Sequence, residues 1–394
     1  MNALKFSAVE RRARLGARHR LAGDARAGSV EEIAASVVAI HSTDPASVVI
    51  ASWARLADRA CGPEEVERAL YDERTLIRML AMRRTMFVVD RATAPVIHAA
   101  ASLGVAARER AKLLKGLDRS PAWLRETEAI ALEALSGAEL TATELAAADE
   151  RLAESVRTGS GKWSQEVKLA SRLLLVLAAE GRAIRARPRG SWSSTQFRWT
   201  ALESWLGAPL EELDPHAAER ALARAWLRAY GPAREDDLRW WAGWTKTQTR
   251  RALAGDDVVA CLLEDDAPGV VAADDVEPIA DGAAPWIAFL PALDATPMGW
   301  KHRDWYLGDH AERVFDVNGN VAPTVWSDGR IVGAWTRDGG GADITYTLFE
   351  DLGAEAVDLL DAEAAALTPR LGDATLAPRA RGYAPAERAL LDRA

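Results

Sequence analysis

Apolar positions along the first 150 residues recur mostly at helical spacing. Phe6 to Leu21 reads as a basic amphipathic stretch. Ser29, followed three positions later by Glu32, has a capping-box pattern and opens a helix expected to run to about Ile40. Asp44-Pro45 opens the next, with Asp as cap and Pro at the first helical position, which puts His41 at the end of the preceding helix. Gly62-Pro63 opens another, through about Tyr71. The period then changes. Arg83-Arg84-Thr85-Met86-Phe87-Val88-Val89 has the β-branched and apolar content of a strand. Helices followed by a short sheet are the ingredients of a winged helix, in which one helix enters the DNA major groove and a hairpin flanks it.

The same order recurs. Glu139 to Leu152 and Ser164 to Glu180 read as helices, Arg182 to Arg187 alternates as a strand does, and Ser194 to Thr200 returns as its partner. Pro215 to Tyr230 is a helix broken by Gly231-Pro232; Arg234 to Trp241 and Lys246 to Ala254 are short helices; Val258 to Leu263 and Val270 to Ala272 are wing strands. From Pro285 on, strand and turn signals dominate. Ala322 to Trp326, Ile331 to Trp335 and Ile344 to Leu348 read as strands, with turns at 317–320, 327–330 and 338–341, and a helix follows from about Ala354 to Leu371. Asp328-Gly329 between two apolar runs is a hairpin signal. The expected fold is mainly α with β wings: three tandem winged-helix domains and a C-terminal β-barrel-like domain, divided at 1–135, 136–212, 213–283 and 284–394.

Charge changes this picture locally. The net charge is −9, against nucleic acid on average. Between Lys162 and Thr200, however, there are eight Lys/Arg against two Asp/Glu, while Ala252 to Trp300 has ten Asp/Glu and no Lys/Arg. A phosphate-binding face needs local positive potential, not a basic mean. Cys61 and Cys261 lie far apart without metal-type spacing, so no metal, cofactor or disulfide framework is expected, and a reducing cytoplasm fits. No apolar run approaches the roughly 20 residues that span a bilayer, and the basic N-terminus lacks the apolar core of a signal peptide, so no membrane partner is expected.

Five segments, in order, carry a resemblance. Ala39-Ile40-His41-Ser42-Thr43-Asp44-Pro45 resembles the catalytic segment of the AlkZ-like winged-helix DNA glycosylase superfamily; Thr75 to Val89 is similar to a strand of its first winged helix; Tyr230-Gly231-Pro232-Ala233 with Asp237 and Trp240-Trp241-Ala242-Gly243 resembles its third; Leu290-Pro291-Ala292-Leu293-Asp294 and the Asp328 to Trp335 hairpin resemble its β-domain. The resemblance implies three winged helices with a C-terminal β-barrel, and hydrolysis of the glycosidic bond of N7-alkylpurines, with crosslink unhooking in some members. The family's catalytic signature is two glutamines, or a glutamine and an aspartate, separated by one residue. Here His41 and Thr43 stand in those positions.

The candidate catalytic residues are therefore His41, Thr43 and Asp44. His41 could orient or deprotonate a water, Thr43 could hold it, and Asp44 could steady a cationic sugar. Each also has a plainer reading: imidazole at a helix end, turn residue, helix cap. Candidate phosphate contacts are Arg83 and Arg84 on the first wing, and Arg182, Arg185, Arg187, Arg189 and Arg198, of which alternation puts 185, 187 and 189 on one strand face. The expected partner is double-stranded DNA, bound by a monomer that is nucleoid-associated when engaged. The alternatives are a non-catalytic winged-helix DNA-binding protein, acting as regulator or damage sensor, and more remotely a protein–protein scaffold.

Overall fold

The computed structural model describes residues 4–159, 165–279, 284–337, 343–372, 374, 376 and 382–393. The fold is mixed α/β, with many helices and small antiparallel sheets. It divides into two compact units, one of residues 1–66 and 223–394, the other of residues 67–222.

In the first unit, helix Ala8–Arg18 is capped by the Ser7 hydroxyl, which accepts from Glu10 N–H. Its basic face is not left to solvent. Arg11 pairs with Glu264 at 2.7 Å, and Arg14 with Glu10 at 3.0 Å and Asp275 at 2.7 Å. Helix Val30–Ser36 is capped by Ser29, while Glu32 reaches one residue further back, to Gly28 N–H at 2.9 Å. This helix is shorter than expected, because Val38 takes a left-handed φ of +65° and turns the chain into the extended pair Ile40–His41. His41 therefore lies in an extended segment, not at a helix end. Helix Pro45–Trp53 follows, fully buried along its length.

The same unit contains helix Pro215–Tyr230 from residue 223 on, then helices Glu235–Ala242 and Lys246–Leu253 and the hairpin Val258–Leu262 with Pro268–Ala272. Further on, Ile287–Leu290, Thr324–Ser327, Arg330–Arg337 and Ile344–Leu348 make a four-stranded antiparallel sheet in chain order. Asp328 (φ +46°) and Gly329 (φ +79°) form the two-residue turn that their sequence signals, closing Ser327 against Arg330. The expected turn at 338–341 lies outside the described residues. The core is aromatic: Trp226, Tyr230, Trp300, Trp326 and Trp335 are all but sealed from solvent. Gly299 permits this packing, since a Cβ there would stand 2.2 Å from the Tyr230 ring.

In the second unit, helices Leu103–Gly116, Pro121–Leu135, Ala142–Ala148 and Leu169–Ala179 enclose an aliphatic core of Leu113, Leu124, Leu145, Leu173 and their neighbours. Three expectations are corrected here. Gln165–Lys168 is not the first turn of a helix but a strand paired antiparallel with Ser155–Thr158, and the helix begins at Leu169. Arg83 and Arg84 are not strand residues. They sit at φ +53° and +64° in the turn that joins Leu76–Ala81 to Thr85–Asp90. Ala183–Arg185 does pair with Trp199–Ala201, but the strand stops at Arg185, so the expected single strand face carrying Arg185, Arg187 and Arg189 is not formed.

Candidate active site and basic cluster

The segment 38–44 is held by neighbours that leave it little freedom. A β-branched residue with positive φ is costly and persists only where the surroundings impose it. The Tyr230 hydroxyl donates to Val37 O at 2.9 Å, just before the Val38 turn. Tyr230 is itself fixed by rings of Trp226 (centroids 5.6 Å apart), His19 (4.8 Å) and Trp300 (5.0 Å), and Trp300 Nε1 donates to Tyr230 O at 3.0 Å. Beneath this lies a buried polar network. Arg55 donates to both oxygens of Asp294, at 2.9 and 2.6 Å, to Thr296 Oγ1 at 2.9 Å, and to the carbonyls of His19 and Ala51. His19 bridges Thr296 Oγ1 (2.8 Å) and Ala229 O (3.1 Å). Burial, with Arg55 beside it, pushes the His19 imidazole down to about 3, so it stays neutral.

On this base, His41 is nearly buried, Thr43 is exposed and Asp44 is half-buried. Thr43 N–H points at His41 Nδ1 from 3.5 Å, at the outer limit of a hydrogen bond. Between them, Ser42 Oγ is buried without a hydrogen-bond partner among the described residues. Asp44 caps helix Pro45–Trp53 through Ala46 N–H at 3.3 Å and accepts from Ser47 Oγ at 3.1 Å; Ser47 Oγ also lies 3.0 Å from Ala292 O. Asp44 then edges a cleft of about 70 Å³, shared with Ser47, Arg337, Tyr383 and Glu387. At roughly 10–15 Å³ per water, that space holds a few waters and no purine. His41 and Thr43 do not line it. Arg337, Tyr383 and Glu387 were not legible as neighbours of Asp44, since nothing near them in sequence marks them, whereas Ser47 follows the Asp44-Pro45 cap directly and was passed over. Among the described residues no cluster of three or more His, Cys, Asp or Glu is placed to hold a metal, and no helix is long and apolar enough to cross a membrane.

The basic candidates occupy the second unit, and most are engaged. Arg84 pairs with Glu109 at 2.9 Å; burial pushes that carboxyl up, but Lys112, Arg84 and Arg172 outweigh it and hold it below the usual range. Arg83 is half-buried. Arg182 bridges Glu128 (3.0 Å) and Glu180 (3.3 Å); Arg187 pairs with Glu67 (3.2 Å) and Asp72 (2.9 Å); Arg189 pairs with Glu144; Arg198 pairs with Glu139 (2.9 Å). Arg185 differs. It lies against the rings of Phe197 (4.1 Å) and Trp199 (5.0 Å), and no ion pair forms to it among the described residues. Burial, with Arg78 alongside, pushes its guanidinium down to about 9, so it remains charged at neutral pH. Arg78 was missed by the sequence reading. It had a signal: a lone arginine inside Leu76–Ala81, six residues that are all buried.

The family model for DNA glycosylase AlkZ-like proteins matches residues 34–370. The chain belongs to the AlkZ-like DNA glycosylase family. Among solved structures, Streptomyces sahachiroi DNA glycosylase AlkZ is similar at 21% identity, with a TM-score of 0.71 over 95% of this chain and 99% of that one. No curated protein matches. Membership places the chain among hydrolases that act on glycosyl bonds of DNA, and the residues 34–370 so matched include the 38–44 segment, the Arg55–Asp294 network and the basic cluster.

Proposed function

We propose that this member of the family is a monofunctional DNA glycosylase that removes N7-alkylated purines from duplex DNA, including purines held in interstrand crosslinks. In this reading residues 1–135, 136–212 and 213–283 each form a winged-helix module and 284–394 a barrel-like domain. An N7-alkylpurine carries positive charge and leaves without protonation, so the protein need only steady an oxocarbenium-like sugar and hold a water. The observation that carries the reading is Asp44: a half-buried carboxylate at the head of a buried helix, edging a cleft sized for water. Asp44 steadies the cationic sugar or polarises the water, with His41 and Thr43 supporting the same segment. Arg83, Arg84, Arg182, Arg185, Arg187, Arg189 and Arg198 contribute positive potential toward the phosphate backbone.

A base-release assay on duplexes containing 7-methylguanine tests this. Wild type releases the free base. Asp44→Asn keeps a capping oxygen for Ala46 N–H but removes the charge, and is expected to slow release by about 10²- to 10⁴-fold while binding persists. His41→Ala is expected to lower release without loss of duplex binding. A second reading, a non-catalytic DNA-binding protein, is favoured by one observation: His41 and Thr43 stand off the cleft that Asp44 edges. It predicts a salt-sensitive gel shift and no released base from any alkylated duplex.

A further inference from the structure

Two arginines in the second unit are packed on the same aromatic ring with buried donors unmet. Arg78 is buried in the strand Leu76–Ala81, and Arg185 ends the strand Ala183–Arg185. Both lie against one ring: Arg78 Cζ is 5.2 Å and Arg185 Cζ 4.1 Å from the centre of Phe197, with Trp199 flanking Arg185 at 5.0 Å and Tyr71 flanking Arg78 at 6.0 Å. Among the described residues, Arg78 Nε and Nη1 and Arg185 Nε are buried without a hydrogen-bond partner, and neither guanidinium forms an ion pair. The nearby Arg182, Arg187, Arg189 and Arg198 all have carboxylates. Like charges brought together without a counter-charge repel, and contacts with aromatic faces offset only part of the cost of burying them. Those same faces fix the guanidinium planes and leave the in-plane N–H groups as directed donors. Arg185 is only half-buried, so the site can be approached from solvent.

We propose that Arg78 and Arg185 form a clamp for one backbone phosphate of duplex DNA. A phosphodiester supplies one negative charge and two non-bridging oxygens, which match forked guanidinium donors and satisfy both cations at once. The chemistry is that of any phosphate; the assignment to a DNA strand rests on the glycosylase reading above.

The test uses the full chain as wild type, Arg78→Met and Arg185→Met. Methionine keeps an apolar stem against Phe197 and removes the charge. Binding of a labelled undamaged duplex is titrated across salt concentrations, and Tm is measured with and without inorganic phosphate at constant ionic strength. The expected result is duplex binding weakened about tenfold or more in each variant, with the log–log salt slope lowered by about one. Phosphate should raise the Tm of wild type but not of the variants, whose phosphate-free Tm stays level or rises. Variants that bind duplex with wild-type affinity and slope overturn the proposal. If phosphate still stabilises only wild type in that case, the site belongs to a free anion. Variants whose Tm falls while phosphate leaves wild type unmoved show a packing role and also overturn it. Wild type that binds no duplex even at low salt sinks the DNA assignment together with the glycosylase reading, whereas wild-type binding without base release sinks only the catalytic part.

Discussion

Two regions of this protein bury arginine, and they do so in opposite ways. In the first unit Arg55 is sealed from solvent with its donors met by Asp294, Thr296 and two carbonyls. In the second, Arg78 and Arg185 are packed on aromatic faces with donors left over and no counter-charge among the described residues. A buried charge that is fully met holds parts of a fold in register; one that is not met is destabilising until something arrives to meet it. The contrast separates a group that maintains the scaffold from the pair proposed above as a phosphate clamp, although all three are arginines and Arg78 is as buried as Arg55.

The largest expected effect breaks the satisfied side. Asp294→Asn leaves Arg55 charged and uncompensated, and should cost about 3–5 kcal/mol in urea unfolding at neutral pH. A loss below about 1 kcal/mol would show that the network does not anchor this unit. Next comes pH. His19 is neutral when folded, with its pKa depressed to about 3, and takes a proton near 6.5 when unfolded. The unfolded chain therefore binds more protons between these values. Its contribution to stability is full above about pH 6.5 and falls on acidification toward pH 3, on the order of 1 kcal/mol per pH unit. His19→Gln, which can still donate to Ala229 O and accept from Thr296, should flatten that limb; an unchanged slope would remove His19 as its source. The third effect is smaller. Arg182→Gln breaks a half-exposed bridge, but Glu128 keeps Arg110 at 2.7 Å, so stability should change by less than about 1 kcal/mol. A large loss would place Arg182 with Arg55 and not with the surface pairs.

Part of this architecture was legible in the chain. The helices Pro215–Tyr230 and Ala354–Leu371 have the bounds that their apolar period suggests, and Asp328-Gly329 closes the hairpin as such a pair should. The misreadings share a cause. Gln165–Lys168 is too short to show a period of its own, and its strand character comes from antiparallel pairing with Ser155–Thr158. Arg83 and Arg84 follow an apolar run and precede another, so they look continuous with a strand, yet the ladder between Ala81 and Thr85 forces both into left-handed backbone. At the candidate site, Asp44 was legible through its Asp-Pro cap, but three polar residues that share its cleft, Arg337, Tyr383 and Glu387, come from about 300 positions further along the chain, and no local pattern ties them to it.

Sequence alone determined the local events: which segments bury an apolar face, where helices start on Ser29 and Asp44, and where turns need an αL residue. These depend on neighbours within a few positions, and the information is all present there. Which arginines gain a carboxylate partner was decided only by the tertiary structure. Arg182, Arg185 and Arg187 look equivalent along the chain, but the carboxylates that meet Arg182 and Arg187 arrive from Glu128, Glu67 and Asp72, while Arg185 meets another cation, Arg78. Electrostatic energy depends on distance in space and on desolvation, and neither is a property of sequence separation.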